Sequence, residues 1–350
     1  MNNNEKKKLV LFLAVAFGMV VVTNIFMFIG TRMGKDGTAL VEAQMFYPAC
    51  GVILGLLLFG DKEKKLPKAG FTVYLLCTVA VTITSILSVL LEESTIDYMA
   101  ASLPKWVAYT DMIVMLFGAI MYILFWTCGK EKRKNAGLSR NNIALSVVLI
   151  AVFFVLFVIR VYSSCFISEF VLKEETGLFA QYNGMFLSLN TWFAIVFLAI
   201  LFPVYAIMYF GEEYGWRYYL QPILQQKFGA RLGVVLGGVI WGVWHAGLDF
   251  MYYSDDSGFQ MTCMQIITCI ALGIFFGYAY MKTKNIWVVV IMHFMNNNII
   301  PVFGGQIQGN TYSWKNVIVY AVVSLLYVAF IFAPIFNAKK QDEVKIEEAA

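Results

Sequence analysis

The chain has 350 residues, of which 60% are hydrophobic, 16% aromatic and only 14% charged, and its formal net charge is +4. This balance lies far outside that of soluble domains, so the composition excludes an ordinary globular protein and indicates a lipid bilayer as the environment. The small net charge gives no reason to expect a nucleic-acid partner.

Apolar runs long enough to cross about 30 Å of hydrocarbon recur along the whole chain. About ten of them are predicted as transmembrane helices, at residues 9–30, 41–60, 71–91, 107–129, 143–163, 186–210, 231–253, 262–281, 286–303 and 317–336. The sequence therefore predicts an all-α fold, a polytopic transmembrane helical bundle of about ten helices, in a multi-pass protein of the cell membrane. The first run follows NNNEKKK, as in a signal peptide, but it is too long and lacks an AxA-like site, so we expect a membrane helix there.

Basic residues in the connections predict the orientation, because Lys and Arg of short loops stay in the cytoplasm. One side of the membrane carries Lys6 to Lys8, DKEKKLPK, KEKRKNAGLSR, QQKFGAR, MKTK and AKKQDEVK. The opposite side carries LEESTIDY, SEFVLKEETG, YSDDSGFQ and GGQIQGN. We therefore expect ten crossings with both termini in the cytoplasm.

Glycines at a spacing of four indicate close helix contacts in the second half of the chain. The seventh predicted helix carries Gly233, Gly237, Gly238 and Gly242, and the eighth carries Gly273 and Gly277. Small residues at this spacing let two membrane helices approach closely, so these two helices are predicted to pack together. Tight packing without chemistry is a sufficient explanation of the glycines.

Histidine occurs only twice in the chain, at His245 and His293, and both lie in predicted membrane helices. Ionisable residues at membrane depth are costly and face a protein interior or a water-filled cavity, which makes each a functional candidate. A lone buried histidine is as readily structural, so neither decides the matter alone. Together with Glu212 and Glu213 of GEEYGWR, which ends the sixth apolar run, they favour a site.

Helical geometry indicates how these residues could meet. If the sixth helix continues to about Gln226 and the chain turns near Gly229, Glu212 and His245 lie equally far from the turn and come level. On the ninth helix, His293 and Asn297 are four residues apart and share one face. The sequence predicts a polar pocket inside the bundle, open toward the cytoplasm.

The roles of the two glutamates follow from their positions. Adjacent residues on an α-helix diverge by about 100°, whereas Glu213 and Arg217 are neighbours at i, i+4. Glu213 is therefore predicted to pair with Arg217, which leaves Glu212 to take a proton from water with the help of His245.

The remaining polar residues complete the set that amide hydrolysis requires. His293 and Asn297 could donate hydrogen bonds to a developing oxyanion. No serine or cysteine is placed beside a histidine as a covalent nucleophile, so direct attack by water is the simpler mechanism.

Three motifs in order resemble one family. GEEYGWR resembles the EExxxR motif of the CPBP family, the CAAX proteases and bacteriocin-processing enzymes also called Abi proteins, which include the Ras-converting CAAX endopeptidase. WGVWH resembles its FxxxH motif in spacing, with Trp241 in place of phenylalanine, and HFMNN resembles its HxxxN motif. The resemblance covers about residues 185–303.

The resemblance implies an intramembrane endopeptidase and a role for each matched position. Glu212 and His245 would activate the water, and His293 and Asn297 would form the oxyanion hole. Glu213 and Arg217 would support them.

Cofactor use is less sharply indicated, because the family has been described both as metal-dependent and as using a glutamate without a metal. We expect no cofactor, since no HExxH pair is present and an asparagine suits a hydrogen-bond role better than a ligand role. Zinc bound by Glu212, His245 and His293 is the alternative.

The motifs divide the chain into three predicted segments. Residues 1–180 form transmembrane helices without a recognised motif, 181–305 form the catalytic core, and 306–350 form the last helix and a charged cytoplasmic tail. The predicted partners are the lipid bilayer and a peptide or membrane-anchored protein substrate presented from the cytoplasmic side.

Two other functions stay open. One is a regulatory or bacteriocin-immunity protein of the same family that acts by binding a membrane protein. The other is a transporter, which the absence of a recognisable internal repeat disfavours. The intact set of motifs favours the protease over both.

Overall fold

The computed structural model describes residues 2–98, 101–254, 256–303 and 309–337. In this part of the chain nearly every element is a helix, which confirms the predicted all-α polytopic bundle. Nine helical segments of the described residues are long and apolar enough to cross a membrane. The ninth predicted span, 286–303, is also helical, but Ile286–Val302 has only 17 residues. The predicted charged tail and most of the GGQIQGN loop lie outside the described residues.

The helices and strands follow one another with short connections. The first part of the chain forms α1 (Asn3–Arg32), α2 (Thr38–Gln44), α3 (Tyr47–Phe59), α4 (Lys68–Leu90), β1 (Thr95–Tyr98), β2 (Ala101–Pro104), α5 (Lys105–Thr127) and α6 (Lys130–Asn135). The middle forms α7 (Ile143–Phe166), a π-helix (Ile167–Val171), α8 (Leu178–Leu187), α9 (Leu189–Glu213), a second π-helix (Tyr214–Leu220) and α10 (Gln221–Phe228). The last part forms α11 (Ala230–Trp244), α12 (Ala246–Met251), α13 (Gly258–Thr283), α14 (Ile286–Val302), α15 (Trp314–Val328) and two 3₁₀ turns (Ala329–Phe332 and Pro334–Asn337).

The chain forms two compact units, which are described separately. The first is Met1–Ser139 with Ile200–Gly215, and the second is Arg140–Ala199 with Trp216–Ala350. These units reflect packing, whereas the predicted segments reflect motifs, so the segmentation at 181–305 stays a prediction.

The first unit is held together by close backbone approach and aromatic packing. A Cβ at Gly51 of α3 would lie 3.0 Å from the Cα of Phe12, so α1 and α3 touch through their backbones. Phe71 of α4 and Phe125 of α5 meet edge to face with their ring centroids 5.9 Å apart. The end of the LEESTIDY segment forms β1, which pairs antiparallel with β2, with Thr95 opposite Pro104.

The second unit confirms the helix contacts that its glycines predict. Gly238 of α11 and Gly273 of α13 face each other, and a Cβ at Gly273 would lie 3.4 Å from the Cα of Gly238. A Cβ at Gly242 would lie 2.6 Å from the Cα of Ile266 on the same neighbour. Side chains at Gly238 or Gly242 would therefore push α11 and α13 apart, whereas a Cβ at Gly237 would instead meet Leu224 of α10.

The turn between α10 and α11 lies where the sequence predicts it. Gly229 connects the two helices with a φ of 86°, a backbone conformation that favours glycine. Gly233 then packs against the backbone of Gln225, because a Cβ there would lie 2.5 Å from its Cα. The predicted turn of the hairpin is therefore present within the second unit, whereas the level placement of Glu212 and His245 stays a prediction.

Candidate functional site

The two glutamates lie at the end of α9, where the first unit packs tightly around them. Glu212 is 2% exposed and Glu213 is fully buried. A Cβ at Gly211, directly before them, would overlap the carbonyl oxygen of Met45 and lie 2.6 Å from the Tyr74 hydroxyl. A Cβ at Gly215 would overlap Pro48. The two motif glycines therefore let this helix segment lie directly against the start of α3, with the carboxylates inside the protein.

The helix changes its winding directly after Glu213. Tyr214–Leu220 forms a π-helix, in which hydrogen bonds run from i to i+5 rather than from i to i+4. The prediction that Glu213 and Arg217 are neighbours assumed α-helical geometry, and that geometry does not apply unchanged across this turn. Arg217 is buried and belongs to the second unit, so its pairing with Glu213 stays a prediction.

Trp241 contacts several of the polar candidate residues in the second unit. The guanidinium carbon of Arg217 lies 4.1 Å from the centroid of the Trp241 ring and 5.3 Å from that of Phe276. An arginine over the face of an aromatic ring is stabilised by the ring quadrupole, and most strongly over tryptophan. Trp241 of the second motif thus stabilises the position of Arg217 of the first motif.

His245 is held in one tautomer by its own helix. Its Nδ1 lies 2.8 Å from the Trp241 carbonyl oxygen, and a carbonyl oxygen can only accept, so Nδ1–H donates. In the neutral ring the Nε2 lone pair is then the basic position. The Trp244 ring stands perpendicular to the imidazole at 4.9 Å and limits its rotation. His245 is therefore oriented as a proton acceptor through Nε2.

His293 meets the same indole from α14. Its ring centroid lies 5.4 Å from that of Trp241 in an edge-on arrangement and 6.3 Å from that of Phe276. The α14 helix begins at a defined residue, because the Asn285 side chain accepts a hydrogen bond from the Trp287 backbone N–H. The second unit therefore gathers Arg217, His245 and His293 around one tryptophan ring.

Asn297 lies one turn further along α14, on the face of His293 as predicted. Its Oδ1 accepts a hydrogen bond of 2.9 Å from the Nδ2 of Asn296. With the oxygen engaged in this way, the NH₂ group is the part of the amide that can donate. This is the chemistry that an oxyanion hole requires.

Comparison with known proteins agrees with the three motifs. Residues 188–299 match the family model described as type II CAAX prenyl endopeptidase Rce1-like. Residues 188–299 are thus similar to the CAAX prenyl endopeptidases. The match includes every residue that the sequence predicts for the site, from Glu212 to Asn297.

A curated member of the CAAX protease family is similar over about a third of the chain. CAAX prenyl protease 2 of Methanococcus maripaludis is 25% identical over 123 residues, which are 33% of this chain and 43% of that protein. The chain thus spans less than half of the length of this relative. No solved structure matches the chain.

The structure shows which of the two units contains each predicted residue. Glu212 and Glu213 belong to the first unit. Arg217, Trp241, His245, His293 and Asn297 belong to the second. Each unit has a distinct part of the proposed chemistry: the first has the carboxylates, and the second has the imidazoles, the amide and the arginine.

A zinc site would need several ligand side chains close together. Among the described residues, no group of three or more His, Cys, Asp or Glu side chains is close enough to hold a metal ion. The choice between a metal-free reaction and zinc held by Glu212, His245 and His293 stays a prediction.

The sequence motifs miss two residues that the structure connects to Asn297. Arg160 of α7 donates through Nη2 to Asn296 Oδ1 at 2.9 Å, and Asn296 in turn contacts Asn297. Arg160 is the single charged residue between Ile143 and Phe166, and a lone charge in an apolar membrane helix indicates function. The same reasoning that identified the histidines could therefore have identified it.

Proposed function

We propose that the protein is an intramembrane endopeptidase that hydrolyses a peptide bond near the cytoplasmic side of the membrane. The observation that carries the proposal is the arrangement around Trp241. One indole ring contacts His245, whose Nε2 is the basic position, and also contacts His293. Asn297 lies one turn further than His293 along α14. The similarity of residues 188–299 to the type II CAAX prenyl endopeptidases supports the reaction class.

The first step of the reaction is attack by water on the substrate carbonyl carbon. Glu212 takes a proton from the water, with His245 Nε2 orienting or sharing that proton. The new C–O bond converts the carbonyl oxygen to an oxyanion. His293 and the Asn297 NH₂ group donate hydrogen bonds to this oxyanion, which stabilises the tetrahedral intermediate.

The second step breaks the C–N bond. The proton held by the Glu212 and His245 pair passes to the leaving nitrogen, so that the products are a carboxylic acid and an amine. Arg217 and Glu213 do not touch the reacting atoms in this scheme; they support the geometry of their neighbours. No metal is used, and zinc chemistry is the alternative to be tested.

The substrate class is proposed from the named relatives. Both the family model and the curated relative are named for CAAX prenyl substrates, so a farnesylated peptide ending in a CAAX sequence is the first probe. Unprenylated leader and signalling peptides are the second. A peptide or membrane-anchored protein of this kind is the proposed partner, together with the bilayer.

The test uses the full-length protein in proteoliposomes with a fluorogenic farnesylated CAAX peptide and a matched unprenylated peptide. Wild type should release the fluorophore and Glu212→Gln should not. In parallel, membrane proteomics of cells that carry Glu212→Ala should show a precursor that accumulates relative to wild type. Absence of cleavage in vitro together with unchanged precursor levels would reject the protease and favour the regulatory or immunity function.

A further inference from the structure

Arg160 lies where a charge is costly, in the interior of a membrane helix. The α7 helix has 24 residues, and Arg160 is its one charged residue. No carboxylate of the described residues lies within ion-pairing distance of its guanidinium. An unneutralised cation at this depth indicates a functional role rather than packing.

The contacts of Arg160 are two aromatic rings and one amide oxygen. The guanidinium carbon lies 5.2 Å from the Phe157 ring centroid and 5.8 Å from that of Tyr327 on α15. Its Nη2 donates to the Asn296 Oδ1 at 2.9 Å. The two rings restrict the position of the flat guanidinium. Its one polar contact among the described residues is with Asn296 on α14.

The contact between Arg160 and Asn296 determines which atom donates and which accepts in a series of hydrogen bonds. A guanidinium has donors and no acceptor, so the Asn296 atom beside it must be the oxygen. The Asn296 NH₂ group then faces the opposite way and donates to the Asn297 Oδ1 at 2.9 Å. The Asn297 amide is fixed in turn, with its oxygen toward Asn296 and its NH₂ group available to a substrate.

We propose that Arg160 is a positioning residue that orients the Asn297 NH₂ group toward the oxyanion through Asn296. This inference rests on the proposed endopeptidase function. The cation also polarises both amides, which makes the terminal N–H a stronger donor, because hydrogen bonds in a series strengthen one another. Arg160 itself does not touch the reacting atoms.

Asn296→Asp separates this role from a structural one. The new carboxylate still accepts from Arg160 and forms an ion pair with it, so the protein should fold as well as wild type. The carboxylate has no N–H, so the Asn297 amide must turn its NH₂ group toward the substituted side chain and away from the oxyanion. We expect kcat to fall by about 10²–10³, as for loss of an oxyanion donor, with KM within about twofold.

Substitutions of Arg160 should lower kcat by smaller factors for the same reason. Arg160→Met keeps an apolar stem and removes the donors, and kcat should fall by about 10- to 100-fold, the usual range for residues that orient a functional side chain. Arg160→Lys retains one donor for the Asn296 oxygen and should recover part of this loss. Asn298→Asp is the matched control, because it places a carboxylate on the same turn of α14, and its kcat should stay within about threefold of wild type.

A double-mutant cycle distinguishes positioning from stability. In an Asn297→Ala background the chain has no donor left to orient, so Arg160→Met and Asn296→Asp should change kcat no further. A purely structural Arg160 would lower activity by the same factor in both backgrounds. Additive losses, or wild-type kcat in Asn296→Asp, would overturn the inference.

A readout without turnover keeps this inference separate from the protease proposal. In protein labelled with ¹⁵N-asparagine, the side-chain NH₂ resonances of Asn297 should shift in Arg160→Met, while those of Asn298 should not. If wild type cleaves no probe, the proposed function fails and the resonances still decide whether the hydrogen-bond chain exists. Unchanged Asn297 resonances in Arg160→Met would reject the chain whatever the cleavage result.

Discussion

The two units of this protein position their candidate functional residues by different means. In the first unit, Gly211 and Gly215 allow backbone contact with Met45 and Pro48, and this packing buries the two adjacent glutamates. In the second unit, the candidate residues are positioned by contacts between side chains, because the Trp241 indole contacts an arginine and both histidines.

The difference shows which substitutions each unit should tolerate. A backbone contact has no room for even one added methyl group, because the opposing atoms cannot rotate away. A ring contact can be weakened in steps, because smaller or less polarisable rings still fill part of the space. The first unit should therefore fail abruptly when its glycines change, and the second should lose function gradually.

The largest expected effect is at Glu212, the carboxylate proposed to activate water. Glu212→Gln keeps size and hydrogen bonding but removes the base, so cleavage should fall by about 10⁴, the upper range for loss of acid–base catalysis. Turnover of the fluorogenic peptide by purified protein measures it.

Glu213→Gln is the matched control for Glu212→Gln, since it alters the neighbouring carboxylate. We expect it to lower expression and thermal stability more than turnover, because a buried Arg217 would lose its predicted counter-charge. Arg217→Ala should behave in the same way. Normal activity in Glu212→Gln with none in Glu213→Gln would reverse the two assignments.

The second largest effect is expected at Asn297, the proposed oxyanion donor in the second unit. Asn297→Ala should lower kcat by about 10²–10³ with little change in KM, because the hydrogen bond acts on charge that is present in the transition state. Kinetics of the same peptide over a range of substrate concentrations separate the two constants.

Asn297→Asp distinguishes the metal-free reaction from the zinc alternative. An ionised carboxylate there repels an oxyanion, whereas it would be a plausible additional zinc ligand beside the histidines. We expect low activity in this variant and full wild-type activity with chelator. Stoichiometric zinc, inactivation by chelator and rescue by added zinc would overturn the metal-free proposal and leave the protease proposal standing.

The third effect tests the abrupt failure of the first unit. Gly211→Ala forces a methyl group onto the Met45 carbonyl oxygen, and such overpacking costs about 1–3 kcal/mol or more. Thermal unfolding in detergent should shift down by several degrees, since 1 kcal/mol corresponds to about 2–4 °C in a protein of moderate size.

Gly237→Ala on α11 is the matched control for Gly211→Ala. Its Cβ would lie 3.7 Å from Leu224 Cδ1, an ordinary contact, so its unfolding temperature should equal or exceed that of wild type. Equal stability of the two variants would show that the motif glycine is not required by packing.

The smallest effect is expected at the ring that organises the second unit. Trp241→Phe restores the residue of the family motif and keeps an aromatic face for Arg217, but a phenyl ring attracts a cation less strongly. The loss of stabilisation of Arg217 should be about 0.5–2 kcal/mol, so turnover should fall by no more than about 30-fold.

Trp192→Phe is the control. Trp192 lies on α9 and away from the rings around Trp241, so this substitution should leave turnover unchanged. A complete loss in Trp241→Phe would mean that the second unit is as intolerant as the first.

Much of the fold could be predicted from hydropathy, because each membrane helix must satisfy its own backbone hydrogen bonds within an apolar run. All ten predicted spans are helical, and the α10–α11 turn at Gly229 lies where the pattern places it. The β1–β2 hairpin could not be found in this way, because four-residue strands have too little periodicity to distinguish them from a loop.

The candidate site was predictable to the extent that its motifs are local. His293 and Asn297 share a face because four residues make about one helical turn. The π-helix at Tyr214–Leu220 was not predicted, so the pairing of Glu213 with Arg217, which assumed an α-helix there, stays a prediction.

The sequence by itself determined the membrane class, the positions of the helices and the residue types of the site, because these depend on properties of consecutive residues. Only the tertiary structure decided that Trp241 is the common neighbour of Arg217 and the two histidines, and that Arg160 reaches Asn297 through Asn296. Those contacts join residues as many as 136 positions apart. Which of the many possible partners a side chain meets is set by how whole helices pack, and no local pattern encodes that choice.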